Sequence, residues 1–372
     1  MTIHTPVGND FDSLAAECAA AFDRWVPGGS EWDDDRLNEW ARRAFALQFA
    51  ENSTYRKYCE TRRVRPGDVS GWRDVPPVPT AAFRAVDLIV GPSSGAKLTF
   101  LTSGTSRGSS RRGRHLVRSP DLYRASLRAS FRAFVLEGED AANIVTLPPS
   151  FTYDPTLSLG WMLDDVRAGF ASELGGSVAT ADGVDWTALD AVVADAVRLD
   201  LPLCLLGTTL GFAEWLERLT DGRSITSPLP SRSRLMDTGG VKAREGLERA
   251  AVLTGLCGQL GLRLEAIVNE FGMTELLSQR YGHGDPGVPL LGPPWLRSWV
   301  LDPVTLEELP DGQTGILCHY DLANLGSVCS VLTEDRGRIV GEGIEWIGRT
   351  EGAPPRGCSL ATAELLEAQE HV

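Results

Sequence analysis

Short apolar runs alternate with longer segments of helical periodicity through the middle of the chain, and this alternation limits the possible folds more than any other feature. Mostly apolar runs with the length of buried strands occur at 144–147, 203–206, 235–238 and 266–269. Apolar residues at helical spacing occur at 121–136, 186–197, 212–219 and 244–260. Because strands that alternate with helices build a mainly parallel sheet covered by helices, the pattern predicts an α/β core.

The segments on either side of this core have different patterns. Apolar residues at helical spacing follow the acidic run 33–35 and predict a helix, and 98–102 predicts a short strand. After residue 293, short β-like runs occur at 299–301, 315–320, 328–332 and 337–340. We therefore predict a helical region packed on the core, the α/β core, a smaller β-rich subdomain and a short carboxyl-terminal segment, at 1–95, 96–292, 293–349 and 350–372.

Charge and composition exclude several classes of protein. The chain has 372 residues and a formal net charge of −14, which opposes a polyanionic partner, so no nucleic acid is expected to bind. No run approaches the ~20 apolar residues of a membrane span, and no leader-like segment opens the chain, so we expect a cytoplasmic protein without a membrane span. The seven scattered cysteines lack a Cys-x-x-Cys pair, which argues against a disulfide framework and a zinc site.

A loop rich in hydroxyl groups and glycine, Thr-Ser-Gly-Thr-Ser-Arg-Gly at 102–108, follows the predicted strand at 98–102. Its backbone N–H groups and hydroxyls could hold a phosphate, and Arg107, Arg111 or Arg112 could neutralise the phosphate charge. Neither the P-loop spacing nor Gly-x-Gly-x-x-Gly occurs in the sequence. The loop is therefore a candidate phosphate site of a different type, and the alternative is an ordinary turn.

The same loop has the form of a hydrolase nucleophile elbow, Gly-Thr-Ser-Arg-Gly at 104–108. In that alternative Ser106 is the nucleophile, and His283 or His319 lies downstream as the base. A nucleophile elbow requires a helix directly after it, whereas 109–114 is polar, basic and interrupted by glycine. The hydrolase is therefore the minor alternative.

A second candidate site, Asn-Glu-Phe-Gly-Met-Thr-Glu at 269–275, lies just past a predicted strand end. Ligands of open α/β sheets bind at the carboxyl ends of strands, where a threonine hydroxyl and a glutamate could hold a phosphate and its Mg²⁺. The alternative is a plain helix start at Thr274 and Glu275, followed by the apolar pair Leu276 and Leu277. Similarly, the residues alone favour Asp335 as an exposed residue of a β-turn at 333–337.

Taken together, the ordered motifs resemble the acyl-protein synthetase family, the acid-activating ligase subunit of bacterial bioluminescence. That family is part of the adenylate-forming superfamily and is related to phenylacetate–CoA ligases. The resemblance covers most of the chain, and the order and spacing of its motifs are its specific part. The matching motifs lie at 102–108, 147–150, 157–162, 238–242, 271–275, 294–295, 321–324, 333–335, 348–349 and 356–359.

The resemblance implies ATP and Mg²⁺ as cofactors and assigns roles to individual residues. Thr274 would contact the α-phosphate and Glu275 the Mg²⁺, while Asp335 and Arg349 would bind the ribose. The remaining ATP contacts would come from Thr102, Ser103, Gly104, Thr105, Ser106, Gly239, Gly240, Phe271, Gly272 and Met273. The acyl group would lie against Ser150, Phe151, Leu159, Met162 and Asn269.

Cys358 is the candidate acyl acceptor. It lies just before a predicted helix at 361–369, with Arg349 and Arg356 nearby in sequence, and helix starts and cations both lower the pKa of a thiol. In the family that the chain resembles, a cysteine near the carboxyl end accepts the acyl group. The alternative is a small buried core residue.

One feature of the larger superfamily is missing from the pattern. Its mobile carboxyl-terminal domain carries a lysine that assists adenylation, whereas here that domain is expected to be absent or vestigial. The chain has three lysines, Lys57, Lys97 and Lys242. Lys242 and Arg107 are therefore the candidate cations for the α-phosphate.

The sequence thus predicts an ATP-dependent ligase that activates a carboxylic acid as an acyl-adenylate and passes the acyl group to a thiol. The partner would be an acyl-CoA-reductase-like protein or another acyl acceptor. Three alternatives remain: a ligase on the same scaffold that acylates CoA or an amine, the serine hydrolase, and a non-catalytic subunit of a reductase complex.

Overall fold

The structure is a computed structural model that describes residues 10–102, 112–223, 227–239, 247–285, 287–349 and 355–370. Its helices are α1 (Phe11–Asp23), α2 (Asp34–Glu51), α3 (Ser53–Thr61), α4 (Pro120–Phe134), α5 (Ser158–Phe170), α6 (Trp186–Leu199), α7 (Thr209–Thr220), α8 (Arg249–Leu260) and α9 (Arg356–Glu370). Its strands are β1 (Val78–Pro79), β2 (Leu98–Leu101), β3 (Arg114–Val117), β4 (Asn143–Thr146), β5 (Gly176–Ser177), β6 (Ala179–Thr180), β7 (Gly183–Val184), β8 (Leu203–Thr208), β9 (Arg234–Thr238), β10 (Ile267–Phe271), β11 (Arg280–His283), β12 (Leu296–Leu301), β13 (Gly315–Asp321), β14 (Ser330–Val340) and β15 (Gly343–Arg349).

The chain forms two compact units. Unit 1 consists of Met1–Ala129, Met273–Ser278 and Gly292–Val372, and unit 2 consists of Ser130–Gly272 and Gln279–Leu291. Unit 1 thus takes in the predicted helical region, the β-rich region and the carboxyl-terminal segment, together with residues 96–129 and the segment Met273–Ser278 of the predicted core. The four-part division inferred from the sequence stays a prediction.

Unit 2 contains most of the segment predicted as the α/β core. Its six-stranded sheet has the order β11-β10-β9-β8-β4-β5, with β11 antiparallel to β10 and the other neighbours parallel. Buried apolar side chains of the central strands and of α6, α7 and α8 form one core. The strands contribute Val145, Leu205, Leu235 and Ile267, and the helices contribute Leu189, Phe212 and Leu253. The prediction of helices covering a mainly parallel sheet is therefore confirmed.

Several boundaries differ from the pattern in the sequence. Strand β10 runs to Phe271, two residues beyond the predicted end, because its pairing with β11 continues to the Phe271–Arg280 pair. Helix α8 begins at Arg249 rather than at 244, with Glu248 in extended conformation at its amino end. Helix α5, which the periodicity did not single out, follows β4.

Unit 1 contains the β-rich part. Strands β1, β14, β13 and β12 lie side by side in that order, and β15 pairs with β14. The two runs predicted at 328–332 and 337–340 belong to one strand, β14, which continues through a bulge between Arg336 and Gly337. A Cβ atom on Gly337 would lie 2.6 Å from the carbonyl oxygen of Glu345, so this glycine allows a close approach between strands rather than a turn.

The helical prediction for the amino-terminal part of unit 1 is also correct. Asp33 caps α2 by accepting a hydrogen bond from the backbone N–H of Arg36 at 2.8 Å, and Asp34 and Asp35 lie in the first turn. Strands β2 and β3 pair antiparallel with each other. None of the helices in the described part of the chain is long and apolar enough to cross a membrane.

Candidate functional site

The segment 272–279, which follows β10, contains no regular secondary structure. Thr274 and Glu275 form a turn in which the backbone N–H of Leu276 donates to the carbonyl oxygen of Met273 at 3.1 Å. The alternative that a helix begins here is therefore wrong. Asp321 accepts hydrogen bonds from the backbone N–H groups of Leu277 and Ser278, both at 2.9 Å.

Glu275 is the buried acid of this turn, with 8% of its surface exposed. Burial raises its pKa to about 7; Arg349 and Arg84 oppose this rise, whereas the charge of Asp335 adds to it. The carboxyl group thus lies within reach of two cations and a second carboxylate of unit 1. A group in this environment changes its charge near neutral pH and responds strongly to a further cation.

Asp335 and Arg349 lie directly opposite each other on β14 and β15. Arg349 Nε donates to Asp335 Oδ1 at 3.3 Å, and Trp346 Nε1 donates to the same oxygen at 3.2 Å. Asp335 is 4% exposed, so the expectation of an exposed aspartate in a β-turn is wrong. The pairing of β14 with β15 keeps this segment extended, although its composition is typical of turns.

Thr102 lies at the end of β2. Its backbone and its hydroxyl both bond to Gly113, and Arg112 Nε donates to its carbonyl oxygen at 2.6 Å. A Cβ atom on Gly113 would lie 3.1 Å from Thr102 Oγ1 and 3.5 Å from Arg84 Cγ. The Arg84 side chain and Thr102 therefore both lie against Gly113, and the charge of Arg84 also acts on Glu275.

The other residues predicted from this loop, Ser103, Gly104, Thr105, Ser106 and Arg107, lie outside the described residues. Ser106, the nucleophile of the hydrolase alternative, is one of them. The next described strand after Thr102 is β3, antiparallel to β2. A nucleophile elbow joins a strand to a helix, so these flanking elements do not favour the hydrolase alternative.

Unit 2 carries the glycine predicted to line the adenine. Gly239 follows β9 with a φ of +86°, which favours glycine, and a Cβ atom there would meet nothing within 4 Å. Thr209 Oγ1 donates to its carbonyl oxygen at 3.0 Å and also lies 2.9 Å from Asp237 Oδ1. Arg249 Nε donates to Asp237 Oδ2 at 2.5 Å. Gly240 and Lys242 lie outside the described residues.

Glu270, at the end of β10 in unit 2, is a second buried acid. Thr238 Oγ1 donates to its carboxylate, and burial raises the pKa of Glu270 to about 7. A Cβ atom on Gly272 would lie 2.5 Å from Glu270 Oε1, so a larger residue at 272 would force this carboxyl group to move. Phe271 ends β10 and Gly272 follows it, whereas Met273 already belongs to unit 1.

The residues predicted to contact the acyl group all lie in unit 2. Ser150 Oγ donates to Asp164 Oδ2 at 2.6 Å, and the backbone N–H of Phe151 donates to the same oxygen at 3.0 Å. Leu159 and Met162 lie on α5, half-buried and buried respectively. Asn269 on β10 is buried and donates from Nδ2 to the carbonyl oxygen of Gly284 at 3.2 Å.

Cys358 lies in the first turn of α9, which begins at Arg356 rather than at the predicted 361, and its environment also differs from the one expected. It is 3% exposed, and its thiol donates to the carbonyl oxygen of Thr333 at 3.5 Å. Burial, followed by the charge of Glu334, raises the pKa of the Cys358 thiol to about 11. The expectation of a lowered thiol pKa is therefore wrong.

Sequence reasoning missed Arg84, His115 and Asp237. Arg84 ends a short 3₁₀ helix, and its position against Gly113 follows from folding rather than from spacing in the sequence. Glu270 belongs to the predicted site at 269–275, where no role was assigned to it; it is an acid directly after a predicted apolar strand. Asp321 and Asn324 belong to a matched motif, although no role had been assigned to them.

Comparison with known proteins agrees with these motifs. The family model of the acyl-protein synthetase, LuxE, matches residues 31–367. A long-chain-fatty-acid–luciferin-component ligase of Vibrio harveyi is 23% identical over 346 residues, which cover 88% of this chain and 87% of that protein. The ligase of the same description from Aliivibrio fischeri is 21% identical over 383 residues, which cover 99% of this chain and 99% of that protein.

Solved structures show the fold. A crystal structure of 2-hydroxyisobutyryl-CoA ligase in the postadenylation state superimposes with a TM-score of 0.62 at 14% identity, covering 91% of this chain and 77% of that chain. An open conformation of the same ligase gives a TM-score of 0.59 at 15% identity, with 88% and 80% coverage. The predicted adenylate-forming fold is thus confirmed, and the match over residues 31–367 shows that the chain belongs to the acyl-protein synthetase family of acid-activating ligases.

Proposed function

We propose that this chain uses ATP to activate a carboxylic acid as an acyl-adenylate and then passes the acyl group to a thiol. The observation that carries the proposal is the environment of Glu275, a buried carboxyl group subject to the charges of Arg84, Arg349 and Asp335. A site for Mg²⁺ and a triphosphate requires such a combination, because the carboxylate binds the metal and the cations neutralise the phosphate charges. The family assignment supports the same chemistry.

The residues of unit 1 fit the groups that this reaction needs. Glu275 supplies a hard oxygen ligand, and Mg²⁺ is commonly held by one or two carboxylates together with substrate phosphates. Bound there, Mg²⁺ would neutralise phosphate charge and favour the ionised form of Glu275. Within the described residues, both hydrogen bonds to Asp335 go to Oδ1, so Oδ2 is free to accept from a ribose hydroxyl.

The proposed reaction has two steps. A carboxylate oxygen of the acid attacks the α-phosphorus of ATP, the bond to the bridging oxygen breaks, and pyrophosphate leaves. A thiol then attacks the acyl carbon, its proton passes to solvent, and AMP leaves. Positioning and charge neutralisation provide most of the acceleration in nucleotidyl transfers of this kind, so the protein's task is to hold the reacting groups in place.

Arg84 joins Lys242 and Arg107 as a candidate cation for the phosphates. Like Thr102, at the start of the proposed phosphate loop, Arg84 lies against Gly113, and its charge acts on Glu275. An arginine can bond a phosphate through two N–H groups in one plane. We therefore propose Arg84 as a phosphate ligand alongside Thr274, the proposed α-phosphate contact.

Gly239, Gly240, Phe271, Gly272 and Met273 remain proposed ATP contacts. Ser150, Phe151, Leu159, Met162 and Asn269 remain proposed acyl contacts. An acceptor protein of the acyl-CoA-reductase type and a cytoplasmic location also remain proposals.

Cys358 is the proposed first acceptor of the acyl group. Its thiol contacts the carbonyl oxygen of Thr333, and the hydroxyl of Thr333 accepts from the backbone N–H of Asp335 at 3.0 Å. The thiol therefore lies against the same stretch of β14 that carries the proposed ribose ligand. Because the thiol is buried with a raised pKa, its reaction requires a change in its surroundings once the adenylate has formed.

The decisive experiment is exchange of labelled pyrophosphate into ATP in the presence of a panel of aromatic and aliphatic carboxylic acids. We expect exchange that depends on the acid and falls by about 100-fold or more in Glu275→Gln. Exchange accompanied by release of acyl-CoA or an amide would favour the small-molecule ligase. Absence of exchange would contradict the proposal; labelling by a serine-directed fluorophosphonate would then indicate the hydrolase, and nucleotide binding without turnover the scaffold.

A further inference from the structure

The turn that carries Glu275 is held by side chains from distant parts of unit 1. The backbone of Thr274, Glu275, Leu277 and Ser278 bonds to side chains rather than to a neighbouring strand or helical turn. The side chains come from β3 and from the end of β13 with the 3₁₀ helix Leu322–Gly326 that follows it. Four backbone groups in five residues are fixed in this way.

His115 holds the first of these groups. Its Nδ1 lies 2.6 Å from the carbonyl oxygen of Thr274, which can only accept, so Nδ1 carries the proton. The ring is buried against Phe83, with the two ring planes at 85°. Burial lowers the pKa of His115 to about 4, so the imidazole is neutral at physiological pH and donates this bond without adding a charge beside the turn.

Asp321 and Asn324 hold the other groups. Asn324 Nδ2 donates to the carbonyl oxygen of Glu275 itself at 2.7 Å. Asp321 accepts from the N–H groups of Leu277 and Ser278 through Oδ2, and from the hydroxyl of Ser278 through Oδ1 at 2.7 Å. Both side chains are fully buried, so these bonds do not compete with bulk water.

We propose that His115, Asp321 and Asn324 are positioning residues that fix the carboxylate of Glu275 for the metal–nucleotide complex. The inference rests on the proposed function, since it assigns Glu275 to Mg²⁺. A turn without its own hydrogen-bond ladder would move on a scale that matters for metal binding, where ligand positions must be held to about 0.5 Å. Three anchors, from β3, the end of β13 and the 3₁₀ helix Leu322–Gly326, remove that freedom.

The test compares Asn324→Leu, which has a similar volume but no donor, with Tyr55→Phe. The control removes another buried donor of unit 1, the Tyr55 hydroxyl that bonds to the carbonyl oxygen of Pro76 at 2.8 Å. Equilibrium binding of ATP is measured by calorimetry with Mg²⁺ and with EDTA. Exchange of backbone amide hydrogens in 272–279 is measured by mass spectrometry on the protein without nucleotide.

In Asn324→Leu we expect the Kd for ATP to rise about tenfold with Mg²⁺ and less than about twofold with EDTA, as loss of one buried hydrogen bond at a metal ligand predicts. Amide exchange in 272–279 should become faster in this variant and stay unchanged in Tyr55→Phe. His115→Leu should behave like Asn324→Leu, and His115→Asn, which keeps a donor near the Nδ1 position, should restore much of the wild-type behaviour.

The outcomes separate this inference from the proposed function. If the wild type binds no ATP, the proposed function fails. If the wild type binds ATP and Glu275→Gln loses the effect of Mg²⁺, while Asn324→Leu keeps it unchanged, only the positioning role is overturned. Equal effects of Asn324→Leu and Tyr55→Phe would also overturn it, because both would then reflect general stability.

Discussion

At the scale of single residues, Glu275 lowers the stability of the folded chain without ligand, and it is also the proposed ligand of Mg²⁺. Its ordinary pKa of 4.5 is raised to about 7 by burial, although Arg349 and Arg84 favour the charged form. The folded chain without ligand therefore binds a proton on Glu275 over a range of pH in which the unfolded chain has lost it. Groups with this behaviour are frequent where a ligand supplies the missing charge.

Glu275→Gln should stabilise the protein at neutral pH when no ligand is present. Below pH 4.5 the carboxyl group is protonated in both states and has no effect; between 4.5 and about 7 only the unfolded state ionises, so wild-type stability falls as pH rises. The variant lacks this loss, which is on the order of 3 kcal/mol above pH 7. Urea denaturation from pH 4 to pH 8, without nucleotide or Mg²⁺, measures the difference. Parallel pH curves for both proteins would contradict this expectation.

Cys358 is the residue at which activation and transfer can be separated. Cys358→Ser should keep acid-dependent pyrophosphate exchange, because the thiol takes no part in forming the adenylate, and should fail to retain acyl label. Wild type incubated with ATP and a labelled acid should keep the label through denaturation and lose it to neutral hydroxylamine, as a thioester does. The two measurements are the acyl label that the denatured protein retains on a gel and the rate of pyrophosphate exchange.

Cys257→Ser is the matched control for this experiment, since Cys257 is a half-buried cysteine on α8 in unit 2. It should retain both activities. Hydroxylamine-labile label on Cys358→Ser would show that another cysteine, such as Cys318, is the acceptor. Wild type that never becomes labelled but releases acyl-CoA would make the chain a small-molecule ligase.

At the scale of elements, the sequence predicted the helices and strands that follow from the local pattern of apolar residues. The central strands and the helices beside them are confirmed, because burial of a sheet between helices requires apolar runs of limited length. The continuity of strand β14 was not predictable from the sequence. Its segment 333–337 has a composition typical of turns, and pairing with β15 keeps it extended. The turn at 272–279 was misread for a similar reason, since its anchors at His115, Asp321 and Asn324 lie at least 43 positions away in sequence.

The connection after β9 offers a test of the proposed adenine contact. Thr209, at the start of α7, bonds to both Asp237 and the carbonyl oxygen of Gly239. Thr209→Val should raise the Kd for ATP about two- to tenfold, because Gly239 loses one hydrogen bond that fixes its position. Thr209→Ser keeps the hydroxyl and should bind ATP as the wild type does. Equal ATP affinities of the valine and serine variants by calorimetry would contradict the role of Gly239.

At the scale of the whole molecule, nucleotide binding should appear as stability. A ligand present at 100 times its Kd stabilises a folded protein by about 2.7 kcal/mol if the unfolded chain does not bind it. ATP with Mg²⁺ should therefore raise the thermal midpoint of the wild type. In Asp335→Ala the same ATP concentration should have a smaller effect, because the proposed ribose ligand is gone. An equal shift in both proteins, measured by calorimetric scanning, would contradict the assignment of Asp335.

The division into units has a consequence for how the chain is made. Unit 2 ends at Leu291, so all of its residues have been synthesised before β12 to β15 and α9 of unit 1 exist. The turn Met273–Ser278 is made early, yet its anchors Asp321 and Asn324 emerge from the ribosome about fifty residues later. Because domains generally fold as they are synthesised, we expect unit 2 to fold first and Glu275 to gain its fixed position only when β13 is complete. Competence for nucleotide binding would then be among the last properties that the growing chain acquires.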